Sequence, residues 1–462
     1  MKMFMNNKRI FLFLTVGAVN IIALTTGMML AWSSPVIPKL KTTDSENPLT
    51  FPVTSEEESW IGSLLALGAA VGPFPFGFLS QKIGRKFTLI STAFPYIIGY
   101  LMAAFATTVE VLFAARLIAG LAVGGVFAVL PGYLVEVSDV DVRGLIGTSM
   151  NNFICFGLLL SYVVGPYISI TWFSIICAIV PLAFAISFFI FTHDSPFYLI
   201  EKNKREEAEK SLAYLRNSSI SDVQKEYEMI RETIGKDKEN AGKFFDVFKS
   251  KGTTKAFLIS NALMLFQQLS GINIILFYAQ DVFSAAETDL PDEVPPMIVG
   301  AVQLISSFVV PVLVEKWGRK MLLLCSAAGM TIATIPLGLY FFLKEQTDVD
   351  ISGISWLPIL ALVVYLFTYN SGFGPLAWTV MAEILPSNLK ASTSSVTACF
   401  CWLVSFLVTK FFHNISYGLN IGMGGSFWIF AAMDIIAFIF TFFYVPETKG
   451  KSFQEIQSIL NS

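Results

Sequence analysis

Twelve times along this 462-residue chain an apolar run of about twenty residues or more passes between charges or turn residues, long enough to cross a hydrocarbon core roughly 30 Å thick as a helix. The runs cover 10–32, 59–79, 87–107, 111–134, 145–165, 170–192, 256–283, 294–314, 321–343, 355–383, 391–412 and 424–445. The first exceeds the ~7–15 apolar residues of a signal-peptide core and is followed by no small-residue cleavage site, so it reads as a retained helix. The expected fold is therefore an all-α membrane protein with twelve transmembrane helices.

Charge says which side is which. Only 14% of residues are charged, against about 25% in soluble domains, and 24 of these 65 fall within 201–255. With both termini placed in the cytoplasm, 26 of the 31 Lys and Arg residues lie in inner segments, and only Lys39, Lys41, Arg116, Lys344 and Lys410 lie outside. That bias fixes the orientation. The outer loops are acidic instead, as in Glu56-Glu57-Glu58. The segment 200–255 alternates basic residues with Glu at helical spacing and carries Leu199, Leu212, Leu215 and Ile230 as apolar anchors, which predicts short amphipathic helices on the cytoplasmic face. Two histidines, His193 and His413, exclude a His-rich metal site, and a net charge of −3 argues against nucleic acid. No metal or other cofactor is expected. The five cysteines all lie in apolar runs and read as packing.

The inner loops repeat. GFLSQKIGRK (77–86) recurs as PVLVEKWGRK (311–320), Glu136 and Arg143 recur as Glu383 and Lys390, and His193-Asp194-Ser195-Pro196 after the sixth run is matched by Pro446-Glu447-Thr448 after the twelfth. Two six-helix halves in parallel repeat follow, the architecture that rocks about a midplane site in alternating-access transporters. The expected units are 1–192, a cytoplasmic linker 193–255, 256–445 and a cytoplasmic tail 446–462. Arg85, Arg143 and Arg319 with Glu136, Asp194, Glu383 and Glu447 form a candidate inner gate, pairing across the halves when that side is closed. Only a network of such pairs biases an equilibrium, because one exposed pair contributes at most about 1 kcal/mol.

At these residues the chain resembles the sugar porter family of the major facilitator superfamily, and the likeness runs over essentially the whole length. Beyond GFLSQKIGRK, it rests on Gln267-Gln268-Leu269-Ser270-Gly271-Ile272-Asn273, on PGYLVEVSDVDVRG (131–144), on Gly374-Pro375-Leu376-Ala377-Trp378 with Glu383, and on PETKG (446–450). Within that family AWSSPVIPKL (31–40) and SWIGSLLALGAAVG (59–72) most resemble insect facilitated trehalose transporters, with vertebrate facilitative glucose transporters more distant. Two departures touch the gate: Gln81 stands where relatives carry Asp, and Phe197 where they carry Arg.

Uncharged amides at bilayer depth are costly without partners, and sugar hydroxyls satisfy both their donors and their acceptors. Asn152, Gln267, Gln268, Asn273, Gln303 and Asn370 are such residues, although amides at this depth also bond neighbouring helices to one another. The resemblance carries the family's sugar-contacting amides onto Gln267, Gln268, Asn273 and Asn152. Ser270-Gly271 weakens the seventh helix between them, as at the broken helices of transporters. Trp378 and Trp402 offer faces for a sugar ring, and Phe277, Tyr278 and Tyr369 would gate the path from outside.

Proton-driven relatives carry an Asp in the first span, where this chain has Met29, which binds no proton; the expectation is facilitated uniport of trehalose or a glucose-type hexose. Asp434, midway along the twelfth run, keeps a proton-coupled symporter open as the alternative, and a non-transporting sugar sensor on the same fold is the other. An enzyme is not expected: His193-Asp194-Ser195 has the composition of a triad, but sequence neighbours cannot supply its geometry, and no GxxxxGK[ST] loop binds phosphate. The expected partners are a small sugar and the lipid bilayer, with no obligate protein partner, and the expected location is the plasma membrane.

Overall fold

The computed structural model describes residues 9–43, 47–49, 51–139, 141–239, 244–277, 282, 284, 290, 291, 293–347, 349–418, 421–451 and 453–461. The chain is a helical bundle. Its first span is α1 (Ile10–Ala31) continued by α2 (Ser33–Leu40), and its second is α3 (Ser55–Val71) continued by α4 (Pro73–Ile83). Then come α5 (Arg85–Ala104), α6 (Val109–Val137), α7 (Arg143–Val164) and α8 (Ile170–Phe191). Large apolar side chains such as Trp172, Phe189, Phe191, Phe442 and Phe443 are exposed around the bundle, the surface that a bilayer covers. The helices α3 and α6 approach through Gly68, Gly72, Gly120 and Gly124; a Cβ on Gly68 would lie 2.2 Å from the Leu117 carbonyl oxygen, so only the smallest residues allow this packing.

Three short helices follow on one face of the bundle, here termed inner, α9 (Pro196–Glu201), α10 (Arg205–Arg216) and α11 (Gln224–Glu239). Leu199, Leu212 and Ile230 are buried together there, with Tyr198 and Tyr227, while Leu215 joins the main core. Apolar residues at helical spacing bury one face of these helices and leave the charges in water.

The second half comprises α12 (Lys251–Leu269) with α13 (Ile272–Phe277), then α14 (Val294–Trp317), α15 (Arg319–Gln346), α16 (Leu357–Ser371) with α17 (Phe373–Ile384), α18 (Ser387–His413) and α19 (Gly422–Tyr444). Among the described residues eleven helices are long and apolar enough to cross a membrane. The twelfth crossing is the seventh in order, where helix stops at Leu269 and resumes at Ile272 across Gly271, at φ +90°. A Cβ at Gly271 would be strained by that backbone and would lie 2.5 Å from the Phe430 ring. The tail folds back as α20 (Phe453–Asn461). Gln457 donates to the Ile384 carbonyl (2.9 Å), and Asn461 Oδ1 accepts from the Gly252 amide (2.8 Å) at the first turn of α12, satisfying one of the donors a helix start leaves free.

The halves meet where α3 packs along α18 and α7 along α14. On the outer side they are tied by hydrogen bonds. Ser33 Oγ donates to the Phe277 carbonyl (3.1 Å), Tyr162 Oη to the Leu276 carbonyl (2.9 Å), and Lys410 Nζ to Glu56 (2.6 Å). The outer side is thus closed. Arg116, counted above with the outer basic residues, instead lies buried within α6, because its guanidinium finds carbonyl partners there.

Candidate functional site

Both ends of the interrupted seventh helix are held by side chains from other spans. Tyr365 Oη donates to the Ser270 carbonyl (2.9 Å), replacing an intrahelical donor lost at the break. Gln267 Nε2 donates to the Phe373 and Gly374 carbonyls (2.8 and 2.7 Å) in the first turn of α17, just past the break between α16 and α17. Gln268 Nε2 lies 2.9 Å from Cys401 Sγ, and Asn273 Nδ2 donates to Gln268 Oε1 and to Ser405 Oγ (2.7 Å). The three amides of the seventh span therefore face Cys401 and Ser405, one turn apart on α18. Sequence reasoning missed these two, and it placed Cys401 with the packing cysteines. The available signal was a Cys and a Ser at i, i+4 in a run that also carries Trp402.

The remaining amides and the indole differ in one respect. Asn152 Oδ1, Gln303 Oε1, Asn370 Nδ2 and Trp402 Nε1 are buried and make no hydrogen bond to the described residues. Buried polar atoms are normally paired, so four unpaired groups among the eight residues singled out from sequence amount to unused capacity for a hydroxylated ligand.

The rings of Trp378 and Trp402 both pack on Phe127 of α6, at centroid distances of 5.9 and 5.4 Å. Both indoles thus contact the opposite half. Tyr369 stacks on Tyr365 (6.2 Å) at the inner end of α16, beside the amides and not at the outer gate expected for it. Phe277 is buried at the end of α13, and Tyr278 lies outside the described residues.

The inner ionic groups form two matching clusters, each within one half. At Gly84 (φ +95°) the chain turns into α5, and Asp194 Oδ1 accepts from the Arg85 and Lys86 amides (both 3.1 Å). Arg85 in turn donates to Glu136 (3.0 Å from Nη2), and Ser195 Oγ donates to the same carboxylate. In the other half Gly318 (φ +84°) turns into α15 and Glu447 accepts from the Arg319 and Lys320 amides (both 3.0 Å). Arg319 donates to Glu383 (2.8 Å), as does Thr448 (2.5 Å). Each acid thus caps the start of a helix, where free amides and the helix dipole favour an anion. Arg143 is exposed and makes none of these contacts. Among the described residues neither cluster pairs across the halves; that pairing is expected with the inner side closed, and the contacts between the halves described above lie on the opposite side.

The two capping acids differ in environment. Burial pushes the Asp194 carboxyl up, and the backbone amides and Arg85 do not fully offset it. Burial pushes Glu447 up as well, but the amides of Lys449, Arg319, Lys320 and Thr448 outweigh it and hold the group below its ordinary range.

Met29, where a proton carrier would place its acid, sits against Arg116. The guanidinium donates to the Met29 carbonyl (2.9 Å) and approaches its sulfur (3.3 Å), donates to the Ile61 carbonyl (2.9 Å), and lies over the Trp32 ring. Asp434 is fully buried in α19, and neither carboxyl oxygen bonds to the described residues.

Residues 19–460 match the family model described as sugar (and other) transporter. The chain is 35% identical over 445 residues to a Bombyx mori protein named facilitated trehalose transporter Tret1, covering 96% of this chain and 86% of that one. It is likewise 35% identical to the protein of that name from Apis mellifera ligustica, over 95% of this chain and 86% of the relative. A longer Anopheles gambiae protein of that name is also 35% identical, and the match spans 55% of its length. Among solved structures, the xylose transporter XylE from E. coli in a partially occluded inward open conformation matches with a TM-score of 0.79 at 22% identity, over 96% of this chain and 99% of that one. XylE bound to 6-bromo-6-deoxy-D-glucose, described as a major facilitator superfamily protein, matches at 0.78. At that identity the likeness shows the fold, twelve helices in two six-helix halves. This multi-pass membrane protein, a transporter and not an enzyme, belongs to the sugar (and other) transporter family.

Proposed function

We propose that this protein carries a sugar across the membrane by facilitated diffusion and alternating access, with trehalose as the first substrate to test and a glucose-type hexose as the second. One observation carries the reading: four spans, α7, α14, α16 and α18, each carry one buried polar atom without a partner among the described residues, on Asn152, Gln303, Asn370 and Trp402, and Trp402 follows Cys401, which Gln268 of the seventh span meets. A hydroxyl-rich ligand satisfies them where lipid does not. The names of the insect relatives support trehalose.

Uniport is supported by Met29. The residue that meets Arg116 inside the membrane is a thioether, which carries no proton. Asp434 supports the proton-coupled alternative, since it is a membrane-buried acid. In our reading Trp378 and Trp402 close on the sugar with Phe127, Phe277 and Tyr278 gate the outer side, and the clusters of Arg85, Glu136 and Asp194 and of Arg319, Glu383 and Glu447 gate the inner one, with Arg143 outside them in this state. Residues 1–192 and 256–445 are the moving halves, 193–255 and 446–462 their cytoplasmic attachments. We place the protein in the plasma membrane with both termini inside.

Counterflow into proteoliposomes with labelled trehalose and labelled glucose tests the substrate. Uptake of one of them without an imposed pH gradient, and unaffected by it, is the expected result. Acceleration by the gradient overturns the uniport reading, and absence of exchange with both sugars overturns the substrate class.

A further inference from the structure

Among the described residues the outer closure contains one charged contact between the halves, and it comes from residues that the sequence presents as topology signals. The three glutamates at the start of α3 divide their work. Glu57 closes a capping box with Thr54, its carboxylate accepting from the Thr54 amide (2.8 Å). Glu58 pairs with Lys41 at the end of the first span (2.9 Å). Glu56 alone reaches the other half, where Lys410 stands near the outer end of α18.

Lys410 is withdrawn from water, with its side chain 7% exposed. Its ammonium is 2.6 Å from Glu56 Oε1 and 2.7 Å from Ser59 Oγ, and lies 4.4 Å from the centroid of the Trp60 ring. Trp60 also packs on Phe406, one turn before Lys410 (6.2 Å). All three ligands of the ammonium belong to α3 and none to its own half. A lysine needs no such cradle to mark the outer end of a helix, since it can reach the headgroups on its flexible stem. A buried ammonium is tolerated only with partners in place. Here those partners are present only while the outer ends of α3 and α18 are together.

We propose that Lys410 is a positioning residue of the transport cycle: its contacts with Glu56, Ser59 and Trp60 latch the outer side and bias the carrier toward the inward-facing state. Opening the outer side takes α3 from α18 and returns Lys410 and Glu56 to water, so the latch weighs against opening by the difference between the cradle and hydration. Glu56 remains 62% exposed, so that difference is modest and corresponds to roughly a three- to tenfold shift in the outward-to-inward ratio. A shift of that size lowers the half-saturating concentration of external sugar by about the same factor, because apparent affinity scales with the fraction of carriers that are competent to bind.

The kinetic part rests on the sugar-transport reading, so the primary test uses no sugar. Ser33, buried and bonded across the halves to Phe277, is replaced by cysteine in a full-length background whose five native cysteines are alanine. Its alkylation by a membrane-impermeant maleimide is followed in right-side-out vesicles. Lys410→Met and Glu56→Gln are each expected to raise the labelling rate about three- to tenfold, and the exchange Glu56→Lys with Lys410→Glu to bring it back toward the parent. Lys410→Arg, which keeps the charge over Trp60, is expected to label like the parent. In uptake assays, made with Ser33 and all five native cysteines in place, the two neutralising variants lower the external half-saturating concentration and raise the internal one. Unchanged labelling in both neutralising variants overturns the latch. So does faster labelling that the charge exchange fails to reverse, since a structural contribution of Lys410 alone gives that result. Should Lys410→Met fail to fold, Glu56→Gln on the exposed side of the pair decides the matter. Labelling as expected, together with no transport of either sugar by the protein with its native cysteines, leaves the latch standing and sinks the substrate assignment.

Discussion

Trp402→Phe separates a binding contribution from a packing one. The indole is 5% exposed and its Nε1 bonds to none of the described residues, while its ring contacts Phe127 edge to face at 5.4 Å. Phenylalanine keeps an aromatic ring against Phe127 and deletes only the donor and part of the surface. In the free protein the unpaired donor costs about 1–3 kcal/mol, so deleting it offsets a loss of similar size from the smaller ring, and thermal stability should change by less than about 1 kcal/mol. In the sugar complex the donor is paired, which relieves that cost of about 1–3 kcal/mol. The sugar should therefore bind the variant roughly five- to a hundred-and-fiftyfold more weakly. Equilibrium binding of labelled sugar to the purified protein, with thermal unfolding followed in parallel, reads both quantities. Unchanged affinity would refute the idea that the unpaired donor faces the ligand. A stability loss of several kcal/mol would refute the assignment of Trp402 to the site and return it to the core.

Gln267→Ala should behave differently, because its donors already serve the Phe373 and Gly374 carbonyls; losing two buried hydrogen bonds between spans at about 1 kcal/mol each should lower the melting temperature as well as transport, and a variant that loses only transport contradicts this. Gly84→Ala forces a Cβ to 1.9 Å from Asp194 Oδ2 at a φ of +95° and should cut the yield of folded protein sharply. Gly77→Ala in the same motif meets nothing within 4 Å in the helix α4 and should be neutral or stabilising by up to about 1 kcal/mol; equal effects of the two would remove the steric argument. Glu447→Gln should lower stability at neutral pH. The wild-type carboxyl is held below its ordinary range, so its contribution is complete above the ordinary glutamate value of about 4.3 and is lost as pH falls through the lowered one. Thermal shifts of the two proteins should therefore converge in acid, and a gap independent of pH would count against the ionic cap.

The spans were legible in the sequence because a bilayer makes each crossing satisfy its own backbone locally, so twenty apolar residues suffice to announce a helix. The repeat was legible for a similar reason, since Gly84 and Gly318 hold a positive φ that other residues rarely adopt and leave a fixed mark in each half. Pairing was not legible. Arg85 and not Arg143 meets Glu136, because a helix start aimed at Asp194 sets the direction of the Arg85 side chain. The break between α16 and α17 at Gly372 falls beside Gly374-Pro375, a helix-breaking pair that the sequence carries openly, but the partners that hold the broken ends come from other spans and are not written there.

By itself the sequence determined what lies in lipid, that the chain has two halves, and which amides are too polar to be idle in an apolar interior. Tertiary structure alone decided which of those amides are spent on broken helices and which remain free, that Cys401 and Ser405 face the seventh span, that Arg116 is buried against Met29, and that Lys410 reaches Glu56 across 354 positions. Solvation by lipid is a property of each segment and is written locally. The pairing of a polar group depends on what other spans bring to it, and that is set only when the helices pack.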